Sequence, residues 1–152
     1  MVPESIEREV RIEAPIETVW SIVTEPEHIG RWLGDWAEVD LRPGGELAIK
    51  FGESSVAVGT VERVERPGLF AFRWVTPESD RPEGVTEGLF TLVEFRLRAE
   101  GEGTVVRMVE SGFADLVTSE EENATLAERH TGGWPGFMDR LAEYAASVDV
   151  SA

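Results

Sequence analysis

The first residues of the chain alternate between apolar and polar positions. Over residues 6–13 (IEREVRIE), one face carries Ile6, Arg8, Val10 and Ile12, and the other face is charged. This period of two is typical of a half-buried β-strand. We therefore predict a first strand over residues 6–13, with Arg8 as a charged side chain on its inner face.

The period changes directly after this strand. Between residues 14 and 24, apolar side chains recur at the spacing of one helix face, at Ile16, Val19, Trp20 and Val23. Pro15 suits the first helical position. Pro26 disfavours helical backbone at Glu25 and so ends this helix. A second short helix is predicted over about residues 26–33.

Strand patterns separated by turn sequences fill the middle of the chain. The turns include RPGGE at residues 42–46 and ERPGL at residues 65–69. We predict six strands, over residues 37–42, 45–51, 55–65, 69–76, 88–98 and 104–113. The polar segment 76–88 is predicted to be a long, mobile hairpin loop.

The last predicted element is a long helix over about residues 119–147. Thr118 or Ser119 supplies its N-cap, and the acidic residues that follow favour the positive end of the helix dipole. Its apolar stripe consists of Leu126, His130, Trp134, Phe137, Leu141 and Ala145. One strand, two short helices, six strands and a helix give an α+β fold (β-α-α-β6-α). Only this long helix is large enough to cover the buried face of the antiparallel sheet.

An unusual stretch, HTGGWPG at residues 130–136, interrupts the long helix. Glycine costs about 1 kcal/mol and proline about 3 kcal/mol in a helix interior. Pro135 has no N–H for the carbonyl of Thr131, so we expect a bend. Two explanations of the glycines stay open. They form a recess at a pocket mouth, including Gly133, or they allow close packing against the second helix around Trp32.

Composition excludes several classes of partner. The net charge is −16, so the chain repels phosphate backbones and anionic lipid, and we expect neither a nucleic acid nor a membrane partner. The absence of cysteine removes disulfides and thiolate catalysis and suits the cytoplasm. No apolar run reaches the roughly 18 residues of a membrane span. The N-terminal residues lack a signal-peptide pattern, so we expect a cytoplasmic protein.

The sequence contains no motif that establishes catalysis or metal binding. The histidines, His28 and His130, lie in different predicted elements without clustered His–carboxylate spacing, so we expect no metal and no other cofactor. Ser111 and Gly112 are not part of the GxSxG elbow of serine hydrolases. His130 is the only base available to a serine triad, and we expect it to be a satisfied helix histidine instead.

The remaining functional feature is the wall of an apolar interior. Buried aromatic residues are ordinary core material, but tryptophan and methionine also line adaptable apolar pockets. The candidates to line a ligand cavity are Trp20, Trp32, Trp36, Phe51, Phe72, Trp74, Phe95, Met108, Trp134, Phe137 and Met138, together with the polar Glu110 and His130 and with Gly133.

Three local signatures together resemble one superfamily. They are IEAPIETVW at residues 12–20, TEPEHIGRWLG at 24–34, and SGF at 111–113 followed by RHTGGWPGFMDRL at 129–141. In this order they resemble the START-like (SRPBCC) superfamily, the birch-pollen-allergen-like helix-grip fold. Within it, the chain is most similar to the family named after the activator of the heat-shock protein 90 ATPase. The likeness runs from about residue 6 to 147, so we expect residues 1–152 to form one domain with this core.

The resemblance implies a curved seven-stranded antiparallel sheet that grips the C-terminal helix, with a cavity between them. It also implies that the first and last strands pair, which brings Arg8 roughly opposite Glu110, a residue in phase with Val106 and Met108. A buried polar group needs a partner. We therefore interpret Arg8 and Glu110 as a structural ion pair; the alternative is a polar handle that orients a ligand carbonyl or hydroxyl.

The resemblance does not imply a reaction, because the superfamily includes lipid and hormone carriers, polyketide cyclases, aromatases and co-chaperones. The leading hypothesis is a cytoplasmic protein, monomer or homodimer, that binds a small hydrophobic or aromatic molecule in the sheet–helix cavity. The second is a co-chaperone-like interaction module for a heat-shock ATPase, for which we would expect a second domain or a basic surface. The third is a cyclase or hydrolase acting on a polyketide-like substrate, with His130 or Glu110 as general acid or base.

Overall fold

The elements follow the order that the hydrophobic pattern predicts. A computed structural model describes residues 2–53, 55–75, 90–116 and 119–148. The strands are β1 (Ser5–Ile12), β2 (Trp36–Val39), β3 (Glu46–Phe51), β4 (Ser55–Glu65), β5 (Leu69–Val75), β6 (Thr91–Glu100) and β7 (Gly103–Ser111). The helices are α1 (Ile16–Thr24), α2 (Pro26–Trp32), a 3-10 turn (Phe113–Asp115) and α3 (Glu120–Ser147). The predicted loop 76–88 and the alternative cap Thr118 lie outside the described residues.

All strands belong to one sheet of seven, in the order β1-β7-β6-β5-β4-β3-β2. Every neighbouring pair is antiparallel. The sheet therefore begins with the first and last strands side by side and ends at β2. This architecture, with the long helix α3 covering the inner face, confirms the predicted α+β helix-grip fold.

Element boundaries differ from the prediction where the backbone turns. Pro15 has φ −62° and ψ 151°, so it caps α1 from outside, and its carbonyl accepts the N–H groups of Thr18 and Val19. β7 stops at Ser111 because the next residue, Gly112, has φ 99°, a left-handed conformation that a strand does not use. Ser119 is the N-cap of α3, and its side chain accepts the N–H of Glu122 at 3.1 Å.

The core lies between the inner face of the sheet and α3. The buried stripe of α3 consists of Asn123, Leu126, Ala127, His130, Trp134, Met138, Leu141 and Ala145. Phe137, which the periodicity placed on this stripe, is only half-buried at its margin. His130 and Trp134 belong to the buried part of this stripe and lie one helical turn apart. Both therefore face the sheet.

The short helices α1 and α2 complete the core beside the sheet. Trp32 of α2 is fully buried, its indole Nε1 donates to the carbonyl of Ile22 at 3.0 Å, and its ring meets Phe95 edge-on at 5.7 Å. Trp20 of α1 is buried in the same core. Both tryptophans therefore hold the helix pair against the sheet.

The glycine- and proline-rich stretch of α3 does not serve close packing. The helix runs through Pro135 from Glu120 to Ser147. A Cβ atom added at Gly132 or Gly136 would meet nothing within 4 Å, and one added at Gly133 would meet only the ring of Phe137, at 3.8 Å. The explanation by tight packing against α2 around Trp32 is therefore wrong.

Candidate functional site

A buried carboxylate, Glu110, lies at the centre of the interior. Glu110 follows Val106 and Met108 in the inward phase of β7, and its side chain is fully buried. Its cross-strand neighbours are Ile6 on β1 and Val93 on β6. An ionised carboxylate in such surroundings requires hydrogen-bond donors, since burying an unpaired charge is very costly.

Four donors from three elements surround Glu110. The sheet holds Oε2: Thr91 donates its hydroxyl at 2.7 Å, and Trp74 donates its indole Nε1 at 2.9 Å. The helix holds Oε1: His130 lies with Nδ1 at 2.7 Å, and Trp134 donates its indole Nε1 at 2.8 Å. We call these five residues the Glu110 cluster. A carboxylate offers about four acceptor sites, so these donors occupy its full capacity.

Local structure explains how each donor reaches the carboxylate. Trp74 and Thr91 face each other across β5 and β6, and Thr91 lies two residues before Val93, the partner of Glu110. His130 and Trp134 are four residues apart on α3, so both point to the same side. Oε2 of Glu110 is therefore bound by two neighbouring strands of the sheet, and Oε1 is bound by α3.

The electrostatic balance favours the ionised carboxylate. Burial on its own raises the pKa of Glu110, but the hydrogen bond and charge of His130 and the indole donors Trp134 and Trp74 outweigh it. The pKa of Glu110 consequently lies below its ordinary value. Glu110 therefore stays a hydrogen-bond acceptor at neutral pH and holds no proton to give to a substrate.

His130 is fixed by this arrangement. Because an ionised carboxylate only accepts, Nδ1 of His130 carries the proton that lies between the two side chains. The ring is 6% exposed and meets Phe113 edge-on at 5.5 Å and Trp74 at 6.3 Å. The contact with Glu110 therefore fixes both the tautomer and the orientation of the imidazole ring.

A continuous group of aromatic rings extends from the Glu110 cluster towards the surface. Trp74 and Trp134 stack with centroids 6.1 Å apart, and Phe72 and Phe95 pack edge-on against them at 5.3 and 6.0 Å. Further rings follow at similar spacing, in the pairs Phe51–Trp74, Trp134–Phe137 and Phe51–Phe137. Phe51 and Phe137 are half-buried, so this end of the group reaches solvent.

The predicted ion pair between Arg8 and Glu110 is wrong. The register places Arg8 opposite Met108, two residues away from Glu110, and Glu110 is enclosed by the four donors described above. Arg8 is half-buried and donates to the carbonyl of Glu7 at 2.7 Å. The alternation along each strand predicted the correct face for both residues. It could not predict the register between the strands, which decides which inner residues lie opposite each other.

The structure brings most of the predicted wall residues together and leaves some elsewhere. Phe51, Phe72, Trp74, Phe95, Trp134 and Phe137 join the aromatic group, and Met108 and Met138 are buried in the same core. Gly133 lies beside Phe137 at the half-buried end. Trp32 of α2 meets this group at Phe95, at 5.7 Å, whereas Trp20 belongs to the packing of α1.

Trp36 is an error of the prediction. It is 45% exposed and lies on the outer face of the sheet, so it does not line the interior. The residues missed by the prediction are Thr91, which binds Glu110, and Phe113, which packs on His130. Thr91 shares the inward phase of Val93 and Phe95, a signal that could have identified it as a buried polar residue.

A His–carboxylate cluster, which the sequence analysis did not find, occurs on the surface. Glu25, Glu27 and His28 at the start of α2 bring potential ligand atoms within 4.8 Å of one another. Nδ1 of His28 also lies 2.6 Å from the hydroxyl of Tyr144. Acidic side chains are favourable at a helix N-terminus without any ion, so this cluster has a sufficient structural explanation.

Comparison with known proteins identifies the family. A family model described as "Activator of Hsp90 ATPase homolog 1-like protein" matches residues 13–146. The chain belongs to this family. The match confirms the resemblance drawn from the three signatures, and it includes β5–β7 and all but the last residue of α3, the elements that form the Glu110 cluster.

Solved structures share the fold. DynU16, a protein in the dynemicin biosynthetic locus, is 25% identical with a TM-score of 0.73; the match covers 95% of this chain and 48% of DynU16. The chain thus spans about half the length of that protein. The crystal structure of CalU16 from Micromonospora echinospora is 29% identical with a TM-score of 0.69, covering 94% of this chain and 76% of CalU16.

A further neighbour is PFC0360w, an HSP90 activator from Plasmodium falciparum. It is 20% identical with a TM-score of 0.70, and the match covers 91% of this chain and 94% of that protein. At this identity the likeness shows the fold alone. No curated protein matches the sequence. In the described part of the chain, no helix combines the length and the apolar character needed to cross a membrane.

Proposed function

We propose that this protein binds one small, largely aromatic molecule between the sheet and α3, in the cytoplasm, and that it holds the molecule without transforming it. The observation that carries the proposal is the Glu110 cluster, a fully satisfied polar group inside an aromatic core. A buried ionic network is often no more stable than apolar residues of similar volume. Its presence here is better explained by a need to hold α3 in one position against the sheet, so that the aromatic group beside it keeps a defined shape.

The aromatic group supports a flat, apolar ligand. Trp74 and Trp134 present stacked indoles beside the cluster, and Phe51 and Phe137 form the half-buried end of the same group. Aromatic rings prefer stacked or edge-on partners, and tryptophan contributes a large apolar area. Rotation of Phe51 and Phe137 would open this end, and Gly133, which lies beside Phe137 and has no side chain, leaves room for a ligand.

The protonation state of the cluster supports binding over catalysis. The pKa of Glu110 is lowered and its acceptor sites are filled, which makes it unsuitable as a general acid and leaves it no lone pair for a substrate proton. His130 is held by Glu110 through Nδ1, which fixes the orientation of its ring beside the aromatic group. A cyclase or hydrolase reaction through Glu110 is the less favoured hypothesis.

Ligand binding is tested by native mass spectrometry of freshly purified protein and by titration with a panel of flavonoid, polyketide-like and lipid compounds. We expect saturable quenching of tryptophan fluorescence and a raised melting temperature, because a ligand at a hundred times its Kd stabilises by about 2.7 kcal/mol. The Trp134→Phe variant should weaken binding, whereas the matched Trp36→Phe variant on the outer face should not. No mass adduct together with no thermal shift across the panel would contradict the proposal.

A protein-interaction role is the second candidate, and the description of the matching family is the observation that favours it. In that case an Hsp90-type chaperone would bind this chain, and the ATPase rate of the chaperone would rise. The discriminating measurement is ATPase stimulation by the wild-type chain and by a Glu110→Gln variant. Stimulation without any small-molecule binding would favour this second role, either as a monomer or as a homodimer.

A further inference from the structure

The exposed apolar side chains of the described chain gather at one end of the sheet. The large hydrophobic residues with substantial exposure are Trp36 at 45%, Leu41 at 39% and Val58 at 37%. Trp36 lies on β2, Leu41 in the turn that follows it, and Val58 on β4. Single exposed apolar residues need no explanation, but Trp36 and Val58 each line a groove, which is a feature of binding surfaces.

Strand register places polar and apolar side chains together on the outer face. Alternation puts Leu47, Ile49 and Ala57 in the core. Their neighbours therefore face outwards, in rows of directly paired residues across β2, β3 and β4: Trp36–Lys50–Val56, Glu38–Ala48–Val58 and, at the next position, Glu46–Thr60. We call the residues Trp36, Glu38, Asp40, Glu46 and Val58 the outer shelf.

The outer shelf borders two grooves. One has a volume of ≈ 580 Å³, and its lining includes Glu38, Asp40, Glu46 and Val58. The other, of ≈ 480 Å³, is lined by Trp36 together with Glu27 and Arg31 of α2. Trp36, which lines the second groove, and Glu38, which lines the first, are two residues apart on β2, so their Cα atoms are about 7 Å apart.

The charge of the outer shelf is unbalanced. Asp40 pairs with Arg42 at 2.8 Å, but Glu38 and Glu46 form no ion pair among the residues that the structure describes. Lys50, the only lysine of the chain, lies over the indole of Trp36 at 5.7 Å. Lys50 thus occupies part of the indole face, whereas Glu38, two residues along the same strand, has no cation paired with it among the described residues.

We propose that the outer shelf docks a basic segment of a partner protein that carries at least one large apolar side chain. Arginine or lysine side chains would pair with Glu38 and Glu46 and cover Trp36, and the apolar side chain would fill the groove at Val58. A second copy of this chain does not fit, because a symmetric contact would oppose carboxylates to carboxylates. The shelf lies on the face of the sheet opposite the Glu110 cluster, so this proposal is independent of the ligand-binding proposal.

The test uses a short peptide of alternating arginine and leucine as the probe, with a peptide of alternating glutamine and leucine for comparison. Binding is followed by calorimetry at low and physiological salt. Variants with Glu38→Gln and Glu46→Gln should bind the basic peptide about tenfold more weakly, a change of about 1.4 kcal/mol. Trp36→Ala should weaken binding by at least as much, and Trp36→Phe should restore part of it.

The control removes the same charge from another surface. Glu128 and Glu143 are exposed on α3, and Glu128→Gln with Glu143→Gln should leave peptide binding nearly unchanged. If the two pairs of Glu→Gln substitutions weakened peptide binding equally, the proposal would be overturned, because binding would then follow net charge alone. An unaffected Trp36→Ala variant would also overturn it, as would a dimer in solution that Trp36→Ala dissociates.

Discussion

Trp74 and Trp134 stack with 6.1 Å between centroids and 30° between ring planes, and each donates its indole N–H to a different oxygen of Glu110. One tryptophan comes from β5 and the other from α3. The stack and the shared carboxylate therefore join the sheet to the helix through the same pair of residues. Ring packing and hydrogen bonding should be coupled energetically at this point.

A double-mutant cycle measures that coupling. Trp74→Phe and Trp134→Phe each remove one indole donor and part of the stack. Because they share Glu110, we expect their effects on the free energy of unfolding to be non-additive, with an interaction energy of about 0.5–3 kcal/mol. Chemical denaturation of the wild type, the two single variants and the double variant measures the four free energies of unfolding. Strictly additive losses would show that the two indoles act independently.

Removal of the carboxylate should destabilise the fold strongly. Glu110→Gln replaces one oxygen with a donor, which then faces donors, so we expect a loss of about 3 kcal/mol or more in the free energy of unfolding. Glu102→Gln in the exposed turn between β6 and β7 is the matched control, with an effect within about 0.5 kcal/mol. Urea unfolding distinguishes them. A Glu110→Gln protein as stable as the control would contradict the central role of the cluster.

The same carboxylate should contribute to acid sensitivity. The pKa of Glu110 is lower in the folded state than in the unfolded state. Its contribution to stability is then fully present above the unfolded pKa and is lost as the pH falls through the folded pKa. Wild-type protein should therefore lose stability on acidification more steeply than Glu110→Gln. The measurement is the difference between their unfolding free energies from neutral pH downwards, and curves that stay parallel would refute the assignment.

The glycines of α3 should tolerate side chains. Gly132→Ala has open space around it and should raise the free energy of unfolding by up to about 1 kcal/mol. Gly133→Leu should keep the fold but reduce binding of an aromatic ligand beside Phe137, whereas Gly132→Leu should not. Thermal melts and ligand titrations check both. In contrast, Gly112→Ala should destabilise, because Gly112 has φ 99°. If Gly133→Ala unfolds the protein, the pocket-mouth explanation is wrong.

Hydrophobic periodicity predicted most of the fold because each signal is local. The alternation in β1 and the i, i+4 spacing of His130 and Trp134 both appear directly in neighbouring residues. The same alternation could have placed Trp36 correctly, since it shares its phase with the exposed Glu38 and not with the partly buried Ala37 and Val39. The error came from treating a large aromatic residue as internal by type and not by position.

The partners of Glu110 were harder to predict because they depend on contacts distant in sequence. Trp74 and Thr91 lie far along the chain from Glu110, and the register of β7 against β1 shifts Arg8 away from it. Inward phase indicated that Glu110 and His130 were both buried, but not that they meet. Only the packing of α3 across the sheet determines which polar groups come together.

The arrangement around Glu110 has a consequence for how the protein folds while it is being synthesised. Trp74 and Thr91 precede Glu110 in the chain, whereas His130 and Trp134 follow it. When β7 leaves the ribosome, the carboxylate can acquire only the two donors that bind Oε2. Oε1 acquires its donors only when α3 has been synthesised. A nascent or truncated chain that ends before His130 would therefore hold within its sheet a carboxylate with only half of its hydrogen-bond donors. The core around Glu110 can therefore close completely only after the last helix has been synthesised.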